Sequence, residues 1–284
     1  MEAPFLCVYN VQLLDIIEYL CVNTLILYLM RRDWTDNEMI LALALYFKLP
    51  YHRLSRNTPE VIELAGLIGR TNNSVAIRLV NYAACDPALT SQGKVGMYAG
   101  IHKCQPYWDK YANNKEELFW EEANIKSVLI KEPIEEILSI PQQDFTGKER
   151  EAIIKQRINQ NAFRSIILAN YNQTCAISGI TVPQLLIASH IIPWSDCEKE
   201  RLNPENGICL SSLYDKAFDS GLISIDPNDY TVIISNELKD YKSTIFYDNF
   251  FSQIEHKTIS IPDRHSPNKL FLEYHMNNIF SKHN

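Results

Sequence analysis

The chain has 284 residues, 46 % of them hydrophobic, and a formal charge of −7. That is long enough for two domains of ordinary size with real cores, and it excludes a disordered or fibrous polypeptide. The net charge argues against a uniformly basic nucleic-acid coat. However, residues 113–140 alone carry seven glutamates against three lysines, so the rest is only mildly acidic. Seven cysteines at 7, 21, 85, 104, 175, 197 and 209 form no C-x-x-C pair, which points to reduced thiols in a cytoplasmic protein and to no structural zinc.

Residues 1–32 read as an N-terminal hydrophobic helix. Asp15, Glu18 and Asn23 interrupt it, leaving apolar runs shorter than the roughly twenty residues a spanning helix needs. It also lacks the basic start of a signal peptide, so the expectation is a buried or partner-packed helix and no membrane partner. A helical domain follows over 33–112. In "DWTDNEMILALALYFKLP", Thr35 and Glu38 have capping-box spacing, and the run that follows is apolar nearly all round until Pro50. "NTPEVIELAGLIGRTNNSVAIRLVNYAACDP" reads as two helices. Thr58 caps the first with Pro59 at its opening position, Gly69 breaks the chain, and Thr71 or Asn72 caps the second. The short turn makes a helix-turn-helix candidate. In a major groove it would offer Arg70, Asn72 and Asn73, with Arg78 further along. Helix pairs of this kind are also plain packing units.

Residues 113–148 look like an acidic connector, helical at first and turn-rich by "SIPQQDFTGK". An amphipathic helix comes next, with Ile153, Ile154, Ile158, Phe163, Ile166 and Ile167 as apolar anchors and Arg157 and Arg164 among its basic members. "QLLIASH" has strand character and ends on His190. A long polar loop leads to "NGICLSS", a second short strand, and then to "SLYDKAFDSG", a helix ended by Gly221. Asp215 and Asp219 are four apart on that helix, so their carboxylates share a face and repel unless a cation lies between them. A hard, oxygen-loving ion such as magnesium would suit them. Two aspartates solvated on a surface helix are the plain alternative. The aromatic clusters at Tyr107-Trp108, Phe246-Tyr247 and Phe250-Phe251 read as core anchors, Trp194 as a residue fixing loop geometry, and Cys175 as a thiol without chemistry.

The strand–loop–strand–helix plan with His190, Asn206 and the paired aspartates resembles the HNH, or ββα-metal, endonuclease family, in its restriction-type branch. "RINQNAFRSIILANYNQTC", "CAISG", "FDSGLISID" and "LFLEYH" fit the same branch. The resemblance covers about 150–284, giving a nuclease domain over 149–284, and 33–112 looks like the accessory domain of such enzymes. It implies an α+β protein with a mostly helical N-terminal domain and a C-terminal ββα-metal domain. The implied activity is hydrolysis of phosphodiester bonds in double-stranded DNA, with one divalent ion, magnesium or manganese, in a restriction or defence setting. His190 takes the place of the general base and Asn206 that of the middle asparagine, as metal ligand or support of the imidazole. Asp215 and Asp219 stand where many members have metal-binding histidines. Ser189 stands where many carry a further Asp or His ligand, and the last letter of the motif is here Asp215. Lys216, Arg157 and Arg164 would meet flanking phosphates. Cutting both strands would favour a homodimer, since one metal centre handles one strand at a time. A non-catalytic helix-turn-helix regulator with a degenerate nuclease domain is the rival reading.

Overall fold

A computed structural model of the chain describes residues 32–93, 96–140, 147–262 and 264–283. The helix expected over 1–32 therefore lies outside the described residues, apart from Arg32. The first described helix, α1 (Asp36–Lys48), begins with the capping box that its sequence announces: the Glu38 amide donates to Thr35 Oγ1 and the Thr35 amide to Glu38 Oε2. Its residues Met39–Ala44, Tyr46 and Phe47 are all buried, as an all-round apolar helix requires, apart from Leu45 at the edge of the core.

Helices α2 (Pro59–Ile68) and α3 (Asn72–Cys85) form the predicted pair. Gly69 closes α2 in the left-handed conformation (φ 65°), which a side chain would disfavour, and Thr71 caps α3 by accepting from the Ser74 amide. Thr58 departs from expectation, because its hydroxyl donates to the Arg53 carbonyl rather than capping α2. Helices α4 (Ile101–Tyr111) and α5 (Lys115–Ile130) complete the helical half. The latter falls in the stretch read as a connector, yet Leu118 and Phe119 are buried in the core and Glu122 meets Lys48 of α1.

A long helix, α6 (Gly147–Asn170), joins the two halves. It packs against α1 and α5 and also against the ribbon of β1 (Leu186–His190) and β2 (Gly207–Ser211). The two strands are antiparallel and pair His190 with Gly207 and Ser189 with Ile208. Helix α7 (Ser212–Asp219) follows β2 directly, and Gly221 ends it at φ 68°. A second ribbon of β3 (Ile223–Ile225) and β4 (Val232–Ile234) and a helix α8 (Lys269–Asn278) close the domain. The fold is thus α+β, helical first and ββα later.

A buried polar clamp ties the end of the chain to the helical half. Tyr46 Oη donates to Asp86 Oδ2 at 2.6 Å, and Arg264 donates to the same oxygen at 2.7 Å while its guanidinium lies over the Tyr46 ring. Asn170 and the His265 backbone exchange two further bonds. Among the described residues no helix is long and apolar enough to cross a membrane.

Candidate active site

Alternation along β1 sends neighbouring side chains to opposite faces. His190 lies against α6, where its ring stacks on Phe163 with centroids 3.6 Å apart and planes 12° from parallel. Trp194 meets the imidazole edge-on at 5.4 Å. Nε2 is 3.1 Å from the Arg201 carbonyl oxygen. A carbonyl only accepts, so Nε2 carries the proton and Nδ1 holds the lone pair. Among the described residues Nδ1 has no hydrogen-bond partner, and His190 is only partly buried, which leaves this lone pair free to take a proton. Burial of the ring lowers its pKa to about 4, against a smaller opposing effect of the Arg201 carbonyl, and the imidazole is neutral near pH 7.

Ser189 faces the other way, toward α7. Its hydroxyl is buried at 2 % exposure and makes no hydrogen bond of ordinary geometry. It nevertheless lies near enough to the Asp215 and Asp219 carboxylates to favour the charged form of each. Burial raises the pKa of Asp215, and burial together with the Asp215 charge pushes Asp219 up to about 6, while Lys216 opposes both shifts. The fourfold spacing thus produces the predicted like-charge pair, and Asp219 keeps contact with solvent. Two carboxylates and a buried hydroxyl form an all-oxygen set suited to a hard divalent ion with water completing its shell. No third His, Cys, Asp or Glu joins them among the described residues. His190 and the acidic pair thus lie on the two faces of β1, the one against α6 and the other toward α7.

Of the two roles expected of Asn206, metal ligand or support of the imidazole, its hydrogen bonds suit the second. At 1 % exposure, its Oδ1 accepts from the Ile192 amide at 2.8 Å and its Nδ2 donates to the carbonyls of Ile192 and Glu200. Both amide protons are engaged and the side chain is sealed in. It pins the two ends of the 191–205 loop, the loop that brings the Arg201 carbonyl to the imidazole. Arg201 also donates from Nε to the Trp194 carbonyl and lies over the Trp194 ring, so Trp194 does fix the loop. Cys175 Sγ accepts from the amides of Ser178 and Ser211, which fastens the chain before β1 to the start of α7.

The basic residues divide. Arg70 turns inward: its side chain is 2 % exposed and donates to Glu38 and to the carbonyls of Arg32 and Asp33. Arg78 is buried, within reach of Cys104 Sγ and over the Trp34 ring. Neither faces a groove, because the carboxylate and ring that hold them come from α1 and the segment before it. Asn72 is half-buried and Asn73 exposed. Arg164 donates to the carbonyls of Leu186 and Pro183 and so fastens β1 to α6 instead of reaching outward. Arg157 and Lys216 are exposed.

Three contributors escape a reading of the motif alone: the Phe163 ring, the Arg201 carbonyl, and Gly207. Gly207 is extended, with φ −139°, so it serves no turn. A Cβ there would stand 2.3 Å from Ile167 Cδ1 and 2.7 Å from Phe163 Cζ, so its bareness is what lets α6 lie on the ribbon. The signal was visible only as an Asn-Gly pair. Residues 175–226 match the family model of the HNH endonuclease, a span that holds His190, Asn206, Asp215 and Asp219. No curated protein matches the chain.

Proposed function

We propose that the segment matching the HNH endonuclease hydrolyses phosphodiester bonds of double-stranded DNA with His190 as general base and one divalent ion, magnesium or manganese, at Asp215 and Asp219. The observation that carries this reading is the unpartnered Nδ1 of a neutral imidazole on the strand that also bears the buried Ser189 hydroxyl beside two carboxylates. Water aligned behind the phosphorus gives its proton to Nδ1 as its oxygen bonds to phosphorus and the bond to the 3′ oxygen breaks. The Arg201 carbonyl, already holding Nε2–H, favours the imidazolium that results and keeps the ring from turning. Asn206 acts by holding the loop in place. When bound, the ion supplies positive charge to phosphate oxygens. Asp215 and Asp219 would hold it, with Ser189 Oγ facing it. Exposed Arg157 and Lys216 are the side chains available to flanking phosphates.

Restriction or defence in the cytoplasm is the setting we infer, with two copies needed to cut both strands. The described cysteines, all free, accord with a reducing compartment. The helix-turn-helix regulator is the weaker reading, since Arg70 and Arg78 are engaged internally. Plasmid incubated with magnesium or manganese tests the choice. The wild-type protein should cut and His190→Ala should not. Intact DNA with both proteins, each still shifting it on a gel, would sink the nuclease reading in favour of the regulator.

A further inference from the structure

We propose that Phe163 is a positioning residue for the base: α6 offers its ring as the flat surface that fixes the plane of the His190 imidazole, and Gly207 is what lets it come that close. The inference rests on the reading of His190 as base and goes beyond the matched segment, because Phe163 lies outside 175–226. His190 is the last residue of its strand, where the ladder ends and the side chain has room to rotate. Three contacts remove that freedom. Phe163 covers one face at 3.6 Å, Trp194 meets the edge, and the Arg201 carbonyl holds Nε2, with only Nδ1 left unpartnered.

The remaining architecture serves the same contact. Arg164, next to Phe163, donates at 2.6 Å to the Leu186 carbonyl and at 3.0 Å to that of Pro183, so the ring and the strand it faces are held in fixed relation. Gly207 stands opposite His190 in the ladder, and any side chain there would drive Phe163 and Ile167 away. Phe163 is itself buried, and α6 is held from behind by α1 and α5. An ordinary core phenylalanine fills space. This one also sets the direction of a lone pair, which matters because a misplacement of about 1 Å in a reacting group costs on the order of 100-fold in rate.

The test uses the full chain with Phe163→Leu and Gly207→Ala beside His190→Ala. Phe163→Leu should lower kcat about 10- to 100-fold with KM for DNA unchanged. Gly207→Ala, which keeps the ring but displaces it, should act like the leucine variant. In the wild-type protein the His190 ring protons should be shifted upfield by the stacked ring, with imidazole nitrogen shifts of a single Nε2–H tautomer. Both signatures should be lost in Phe163→Leu. If His190→Ala is inactive while Phe163→Leu cleaves at the wild-type kcat, the inference falls and the nuclease reading stands. If His190→Ala cleaves normally, the reading itself falls. A rate loss in Phe163→Leu with unaltered His190 signals, or a wild-type spectrum without the ring shift, also overturns the inference, and the latter holds whether or not the variant folds.

Discussion

Two histidines of this chain are built almost alike and differ in a single atom. His190 stacks on Phe163 at 3.6 Å and His275 of α8 stacks on Phe218 at 3.7 Å, with planes 12° and 7° from parallel. Each offers Nε2 to a backbone carbonyl, that of Arg201 at 3.1 Å and that of Phe218 at 3.0 Å. Burial lowers each pKa to about 4. However, the Nδ1 of His275 accepts from the Ser224 hydroxyl at 3.0 Å, and the residue is 1 % exposed, whereas the Nδ1 of His190 has no partner among the described residues and its ring is only partly buried. A depressed pKa and a stacked ring therefore do not mark a base, because a fully bonded core histidine has both. An unoccupied lone pair on a partly buried ring is the distinguishing feature, and it separates a group able to take a proton from one that braces α8 against α7 and β3.

The comparison can be broken most forcefully by exchanging the two losses. His190→Ala should reduce cleavage about 1000-fold, within the range for a general base, beyond whatever stability goes with its stacked ring. His275→Ala should lose stability alone. It should lower stability by about 3 kcal/mol, through an emptied ring site and two orphaned partners, with unchanged cleavage per folded molecule. Loss of cleavage in a folded His275→Ala protein would erase the distinction.

Acid should act on the two rings alike, since burial lowers the pKa of each to about 4. His275 binds its proton at about 4 when folded and near 6.5 when unfolded. As pH falls below 6.5 the unfolded chain is therefore protonated first, and the stability present above 6.5 is progressively lost down to about 4. For one histidine this amounts to at most about 3 kcal/mol. Urea midpoints at pH 7, 5.5 and 4.5 should fall in the wild type and fall less steeply in His275→Ala. Parallel curves would refute the assignment.

On the other face of β1, Asp215→Ala or Asp219→Ala should raise the magnesium or manganese concentration needed for half-maximal cleavage at least about tenfold, with DNA affinity kept. Superimposable metal titrations would remove both from the site. The smallest effect belongs to the exposed cations: Lys216→Ala and Arg157→Ala should each weaken DNA binding without regard to sequence and reduce the salt dependence of binding by about one ion. Salt slopes equal to that of the wild type would place the phosphates elsewhere.

Much of the frame was legible because it depends on residues close together in the chain. Thr35 and Glu38 cap α1 from three residues apart, Gly69 ends α2 through its own φ angle, and the i, i+4 spacing alone puts Asp215 and Asp219 on one face. The strand that ends on His190 and the helix that ends before Gly221 were likewise readable from an apolar run and a breaker. Less legible was the acidic stretch around α5, where a high glutamate content concealed the two core residues Leu118 and Phe119.

What a side chain does with its polar atoms was another matter. Arginine at 70 or 78 has the same letters whether it meets a phosphate or, as here, a buried glutamate and a tryptophan ring from the segment before α1. Asn206 has the motif's identity, yet its amide closes a loop, and Gly207 follows it for the sake of a helix far earlier in the chain. Local rules act through covalent neighbours, so the sequence by itself determined where helices start, where strands alternate and which acids share a face. Burial and hydrogen-bond partnership are set by groups distant in sequence, so only tertiary packing decided that Phe163 lies on His190 and that its Nδ1, unlike that of His275, stays unpartnered.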